Sequence, residues 1–501
     1  MGMEYVIAHD LGTSGNKATL VGTDGKVVMD ETYHYNTNYF GTGCAEQSPQ
    51  DWLEAVVKTT KSIASRVDSK DILAVTFSGQ MQACVCLDRD GNLLHDGIIW
   101  CDQRAEKQTG IIVREMGAEN VYRITGHRAS PVYTIEKAMW LKEHEPELFA
   151  KTYRIVGAKD YVIYRLTGRY VTDYSDASGM GVYDINRLAW SEEICRAAGI
   201  SPDLLPEVVA STDIVGEVCG GIAREMGLAQ GTRVVCGGGD GSCAAVGAGA
   251  VEENSAYICM GTSAWVGAAT KKPFLDDKMR VINFLHLKKG MYMPCGPTSS
   301  CGNVYNWMID MLYRGEADAF SLAEQEIGKS QAGANGLVFL PYLSGERAPI
   351  WDPGARGSFV GLAMNHNRGD MMRAVTEGIS MNLGLILDAF RDFIPITQLN
   401  QIGGSENDTW RQILSSIMDA QICKVQNNKH ATSLGAATAA VVGLGIYADF
   451  DDAKGFIHVD RAVSPNPKER QVYGELMEVF SQSYHDLKNV YSQLGRFRQA
   501  E

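Results

Sequence analysis

The stretch Val234-Val235-Cys236-Gly237-Gly238-Gly239-Asp240-Gly241-Ser242 decides how this chain is read. A short apolar run enters it, and the small residues Cys243-Ala244-Ala245-Val246-Gly247 leave it. The pattern is strand, tight glycine turn, helix start. Glycines strip side-chain bulk from one side of Asp240, so a substrate could approach the backbone closely. A carboxylate placed there is a candidate general base. It is equally a candidate helix-capping Asp in an ordinary turn. A third reading is dinucleotide binding, since Gly239-x-Gly241-x-x-Ala244 follows a strand. Asp240 would then crowd the pyrophosphate with its own charge. The acid expected about 20 residues on is also missing, because Glu252 and Glu253 come too early.

Working outward, a second pattern occurs twice. The strand Tyr5–His9 turns at Asp10-Leu11-Gly12-Thr13-Ser14-Gly15 and returns through Lys17–Val21; Asp24-Gly25 then marks a hairpin. Farther on, the strand Ala256–Met260 turns at Gly261-Thr262-Ser263 and returns through Ala264–Gly267. Two such units, one opening each half, suggest a duplicated domain. Gly-Thr-Ser turns expose backbone N–H groups and add hydroxyl donors, which suits phosphate. Asp10 could hold a hydrated Mg²⁺, and Lys17 could add charge. Another glycine turn, Gly403-Gly404-Ser405-Glu406-Asn407, lies between a strand and the helix beginning near Trp410 and could carry a purine. Each turn taken singly is an ordinary turn. Together they outline a split nucleotide site with Asp240 at the seam. A Walker A sequence is absent, so phosphoryl transfer would need another scaffold.

Two further strand ends carry polar groups beside an aromatic or a methionine. One is Ser78-Gly79-Gln80-Met81-Gln82, and the other is Trp100-Cys101-Asp102-Gln103-Arg104. An apolar ring face with hydrogen-bonding groups suits a sugar. The alternative is a loop around a buried Trp. Ser48-Pro49 reads as a helix start, with Ser as cap and Pro in the first turn. Thr172 to Gly179 reads as a polar, small-residue segment. The ten histidines are dispersed, with His9 packed near the end of the first strand, and no Ser-His-Asp arrangement stands out.

The 501 residues suffice for two or more domains with full cores. A net charge of −14 disfavours nucleic-acid binding. The twelve cysteines lack metal spacing, which indicates a reducing compartment. A strand begins almost at once, so no signal peptide is expected. No apolar run approaches the roughly 18 residues that would span a bilayer. The expectation is a cytoplasmic protein.

These motifs, in this order, resemble those of the FGGY carbohydrate kinases, and within them the xylulokinase branch. The resemblance covers nearly the whole chain. Asp10-Leu11-Gly12-Thr13-Ser14-Gly15-x-Lys17 is similar to the family's first phosphate motif. Gly79-Gln80-Met81 and Trp100-x-Asp102-x-Arg104 are similar to its sugar-site loops. Thr134-x-x-Lys137-x-x-Trp140-Leu141, Lys159-Asp160-Tyr161, Leu166-Thr167-Gly168 and Thr172-Asp173-x-Ser175-x-Ala177-Ser178-Gly179 follow in order. So do Gly237-Gly238-Gly239-Asp240, Gly261-Thr262-Ser263, Tyr342-Leu343-Ser344-Gly345-Glu346-Arg347, Arg373-Ala374-Val375-x-Glu377-Gly378 and Gly403-Gly404-Ser405.

The resemblance implies an α/β fold of two actin-like, ribonuclease-H-like domains, about 1–250 and 251–501, with ATP and sugar in the cleft between them. It implies that Asp240 takes the proton of the sugar hydroxyl and that Asp10 is the Mg²⁺-associated carboxylate. It places phosphates on Gly12-Thr13 and Gly261-Thr262 and adenosine against Gly403-Gly404. On the residue reading, Ser14, Lys17, Ser263, Ser405 and Asn407 join the ATP site, and Gln80, Met81, Gln82, Trp100, Asp102 and Arg104 join the sugar site. One departure stands out: the branch has Met-His where this chain has Met81-Gln82, with Ala83 in place of a glycine. The substrate expected is D-xylulose, with L-xylulose, ribulose, a polyol or gluconate as alternatives. The expected partners are a small sugar and ATP, with no nucleic acid and no membrane; a homodimer is a candidate assembly. Two other classes stay open: a non-catalytic sugar or nucleotide sensor on the same fold, and a Rossmann oxidoreductase.

Overall fold

Tyr5–Leu11 (β1) is apolar along nearly its whole length because both of its faces are covered. The computed structural model describes residues 3–404 and 407–497. In it, Ile7 and Leu11 belong to one core with Trp52, Val56, Ile63 and Val75. Val6 and Ala8 point the other way, into a core with Ala74, Val235, Ala436 and Ala440. The period-2 alternation of a strand sends neighbouring side chains to opposite faces. Each large apolar side chain so buried contributes about 1.5–3 kcal/mol.

The chain divides into two units. Unit 1 is Met1–Glu253, Ala269–Pro294 and His430–His458; unit 2 is Asn254–Ala268, Cys295–Lys429 and Val459–Glu501. Unit 1 is built on β1, Gly15–Gly22 (β2), Val27–His34 (β3), Ile72–Gly79 (β4), Ile214–Glu217 (β5), Arg233–Val235 (β6) and the two-residue Gly238–Gly239 (β7). The spatial order is β5-β6-β4-β1-β2-β3, with β7 alongside the end of β4. β1 runs parallel to β4 and antiparallel to β2, and β6 is parallel to β4 and antiparallel to β5.

The second sheet carries Ala256–Met260 (β8), Ala264–Ala268 (β9), Tyr292–Thr298 (β10), Gln398–Gly403 (β11), Gln421–Val425 (β12) and Val459–Val463 (β13). Their order is β10-β9-β8-β11-β12-β13, and the strand Ile282–Leu285 extends the sheet beyond β10. β8 is antiparallel to β9 and parallel to β11, β12 is parallel to β11, and β13 is antiparallel to β12. From β10 to β13 this repeats β3-β2-β1-β4-β6-β5. The duplication expected from two Gly-Thr-Ser turns is thus present as a repeated topology.

Two helices of unit 1 meet backbone to backbone. A Cβ on Gly247, in the helix Asp240–Gly247, would overlap the Ala431 carbonyl; one on Gly435, in the helix Ala431–Gly443, would overlap the Cys243 carbonyl. Only glycine permits that approach.

One local expectation differs from the structure. Ser48 sits at the cap position of the helix Pro49–Ala64, but its hydroxyl bonds Gln50 Oε1 at 2.9 Å instead of capping. Pro49, whose missing N–H costs nothing in a first turn, marks that start. In the polar, small-residue segment 172–179, the strand Val171–Asp173 leads into the helix Tyr174–Ser178, and Asp173 accepts the Ser175 N–H at 2.9 Å as its cap. No helix among the described residues is long and apolar enough to cross a membrane.

Candidate functional site

The two carboxylates read from the sequence converge at one end of the first sheet. Asp10 lies at the end of β1, opposite Lys17 on β2 and Ser78 on β4. Gly238 and Gly239 continue the sheet beside Ser78 and Gly79, which delivers Asp240 next to that end. Asp10 Oδ1 accepts from Ser78 Oγ at 3.2 Å, and Oδ2 accepts from Thr432 Oγ1 at 2.6 Å. Asp240 is the first residue of its helix, not the cap, which is Gly239. Its Oδ1 accepts the Gly241 N–H at 2.8 Å. Burial pushes the Asp240 carboxyl up to about 7, the negative charge of Asp10 adds to the rise, and the Gly241 N–H opposes it. The residue nevertheless keeps part of its surface open.

The glycines before Asp240 make room chiefly for the protein itself. Gly237 has φ +67°, and a Cβ there would overlap the Phe77 carbonyl. A Cβ on Gly238 would lie 2.7 Å from Ser175 Oγ, and one on Gly239 would lie 2.7 Å from Met81 Sδ. The expected clearance for a substrate is therefore occupied by Phe77, Ser175 and Met81. Gly241 is less confined, with Met293 Cε at 3.4 Å.

Two of the sugar-loop candidates, Trp100 and Gln80, are linked to Thr13. The Trp100 indole N–H donates to Thr13 Oγ1 at 2.9 Å while the ring stays 39% exposed, so this is not a buried structural Trp. Gln80 donates its side-chain amide to Gln47 Oε1 at 2.8 Å, and Gln47 in turn donates to the Thr13 carbonyl at 2.6 Å. Met81 packs beneath Gly239 and Gly179. Gln82 takes a left-handed backbone, φ +68°. Asp102 is fully buried and its oxygens serve Ala45 N at 2.6 Å and the Arg104 guanidinium; Arg104 also pairs with Glu46 at 2.7 Å. Asp102 thus anchors the loop that presents Trp100.

Unit 2 supplies a cavity of about 530 Å³. The Gly261 and Thr262 turn, Gly302 and Gly404 form part of its wall, and Tyr305, Phe320, Asn407 and Trp410 another. Tyr305 stacks on Trp410 with centroids 4.8 Å apart, and Phe320 continues the stack at 6.4 Å. Gly302 donates its N–H to the Gly261 carbonyl at 3.0 Å, and a Cβ on Gly302 would sit 2.5 Å from that oxygen. Asn407 caps the helix Asp408–Met418 by accepting the Trp410 N–H at 2.8 Å. A flat aromatic wall beside backbone N–H groups at a tight turn can hold a base and phosphates. Ser405, read as part of this turn, lies outside the described residues.

Family models match both halves: the N-terminal domain of the FGGY family of carbohydrate kinases over residues 5–247, and the C-terminal domain of the same family over 256–444. The chain belongs to the FGGY family of carbohydrate kinases. It is 35% identical to a xylulose kinase of Bacillus subtilis, over 99% of this chain and 100% of that one. It is 30% identical to a gluconokinase of Bacillus licheniformis, over 99% and 98%. A ligand-bound xylulose kinase from Lactobacillus acidophilus superposes with a TM-score of 0.94 at 30% identity, over 98% of this chain and 100% of that chain. As a member of the family this chain is a carbohydrate kinase, and each half carries the family's actin-like fold.

Three participants escaped sequence reasoning. Thr432, which holds Asp10, lies in a small-residue helix whose only sequence signal is a Thr-Ser pair at its start. Gln47, which links Gln80 to Thr13, has no motif. Lys137 appears in a family signature, but its task is set by the fold: its ammonium donates to the carbonyls of Gln82 at 2.9 Å and Ile99 at 2.7 Å. Burial pushes that ammonium down to about 8, against the pull of Cys84, Asp102, Cys101 and Glu136. A lysine among Ile135, Ala138 and Leu141 on a buried helix face was the available signal.

Proposed function

We propose that this kinase transfers the γ-phosphoryl group of ATP to a terminal hydroxyl of D-xylulose. The observation that carries the chemistry is Asp240: a half-open carboxylate at a helix start, raised toward neutrality beside Asp10. A base titrating near the working pH is well matched to taking a hydroxyl proton. The freed oxygen attacks the γ-phosphorus in line as the bond to the β-phosphate oxygen breaks, and the proton remains on Asp240.

In this reading Gly12, Thr13, Ser14 and Lys17 hold phosphate on unit 1. Gly261, Thr262 and Ser263 hold phosphate on unit 2, and Gly403, Gly404, Ser405 and Asn407 border the nucleoside beside Tyr305 and Trp410. Asp10 fits Mg²⁺, a hard cation held with few protein oxygens plus water and phosphates. Bound there, the ion would neutralise phosphate charge. Gln80, Met81, Gln82, Trp100, Asp102 and Arg104 form or support the sugar side. The division of labour follows residues 1–250 and 251–501, and the setting is the cytoplasm, where ATP is available.

The sugar rests on the names of the relatives, which include both xylulose kinases and gluconokinases. A coupled ADP-release screen over pentuloses, hexuloses, polyols and aldonates tests it. D-Xylulose should give the highest kcat/KM; a higher value for gluconate would replace it. No sugar-dependent ADP release in any class would favour the sensor reading.

A further inference from the structure

The phosphoryl-transfer reading leaves unused a charged cluster buried directly behind Asp240. Lys159 Nζ lies 2.6 Å from Asp160 Oδ1, 3.1 Å from Asp173 Oδ1 and 3.3 Å from Asp176 Oδ2, with all four side chains sealed from solvent. Only one oxygen of Asp173 faces the lysine. The other, Oδ2, accepts from Ser175 N at 2.9 Å and from Ser175 Oγ at 2.5 Å. With its proton committed to Asp173, the Ser175 hydroxyl turns a lone pair to the Gly239 N–H, which it accepts at 2.9 Å. Gly239 is the residue before Asp240.

The cluster also grips both strand ends that meet there. A Cβ on Gly238 would lie 3.1 Å from Asp173 Oδ2, and one on Gly79 would lie 2.9 Å from Lys159 Cβ. Helix capping does not account for this path, because Asp173 caps the helix Tyr174–Ser178 with its own carboxylate. Ser175 Oγ carries a hydrogen bond from the cluster to the turn.

We propose that Ser175 is a positioning residue: with its hydroxyl oriented by Asp173 and Lys159, it fixes the Gly239 peptide and so aims the Asp240 carboxylate at the acceptor hydroxyl. The inference rests on Asp240 being the base. Removing the hydroxyl frees the peptide to shift, and a displacement of about 1 Å at a reacting group costs up to roughly a hundredfold in rate. Ser175→Ala should lower kcat by about tenfold or more and leave the sugar KM within about twofold, since the sugar loops are held elsewhere.

A double-mutant cycle decides it: kcat and KM are measured for wild type, Ser175→Ala, Asp240→Asn and the double variant. The expected result is a kcat loss in Ser175→Ala that vanishes in the Asp240→Asn background. An equal loss in both backgrounds, an unchanged kcat, or a change confined to KM would overturn the positioning role while leaving Asp240 as base. Near-normal turnover by Asp240→Asn alone would overturn the base reading, and the positioning role with it. Should Ser175→Ala fail to fold, Asp173→Asn keeps the shape of the side chain and supports the same cycle.

Discussion

A carboxyl raised to about 7 has two consequences at the scale of the single residue Asp240. The first is kinetic. As the proposed base, Asp240 must be ionised to accept a proton, so kcat/KM should climb as pH rises through about 7 and fall below it, as a pH–rate profile with D-xylulose would show. Asp240→Asn should lower kcat by at least about a hundredfold, with sugar and nucleotide still bound. The second is thermodynamic. A carboxyl held above its unfolded value favours the folded state while protonated, and that contribution is lost as pH rises through the folded value. Asp240→Asn should therefore melt above wild type at pH 8, with the gap closing toward pH 4. Equal melting temperatures across that range would show that Asp240 is not strained by its surroundings. The carboxylate itself was legible in the sequence, because glycines on both sides of one acid are conspicuous. Its titration was not, because that depends first on burial and then on Asp10, which lies 230 positions away and is brought near by the pairing of β1, β4 and β7.

At the scale of elements, buried charge and close packing hold the end of the sheet that carries Asp10 and Asp240. Lys159 balances part of the charge of Asp160, Asp173 and Asp176. Burial alone would lower its ammonium, but the three carboxylates outweigh burial and hold it well above the ordinary lysine range. Burial raises Asp176, and the charges of Asp160 and Asp173 add to that rise against the pull of Lys159. Lys159→Met should destabilise unit 1 by about 3–5 kcal/mol, because it strands buried carboxylates without a partner. Chemical denaturation would read this directly, and a loss below about 1 kcal/mol would mean that water reaches the cluster. Motif order identified Lys159-Asp160 and Thr172 to Gly179 as belonging together in sequence. Their meeting around one ammonium depends on the strand Val171–Asp173 and the cap by Asp173, where local composition showed only polar and small residues. Gly237 gives the complementary lesson: its presence was plain, but the carbonyl of Phe77 that forbids a side chain there comes from another strand.

At the scale of the whole molecule, one strand order serves twice, and each copy places a Gly-Thr-Ser turn at the same point of its sheet. In unit 1 that turn is tied to Trp100 and, through Gln47, to Gln80; in unit 2 it borders an aromatic cavity. Binding should then be separable. Gly302→Ala puts a Cβ 2.5 Å from the Gly261 carbonyl, so it should weaken ADP affinity by about tenfold or more while sugar affinity is kept. Calorimetric titration of each ligand checks this, and equal losses for both would refute the assignment of nucleotide to unit 2. The sequence by itself determined the family, the duplication, the two candidate carboxylates and the glycine turns, because each is written in short, local motifs that turn chemistry and strand patterning enforce. Only the tertiary structure decided who holds those motifs in place: Thr432 on Asp10, Lys137 on the carbonyls of Gln82 and Ile99, Ser175 on Gly239, and Trp100 on Thr13. Such partners are separated by tens to hundreds of residues, and a hydrogen bond between them leaves no periodicity in the chain to read.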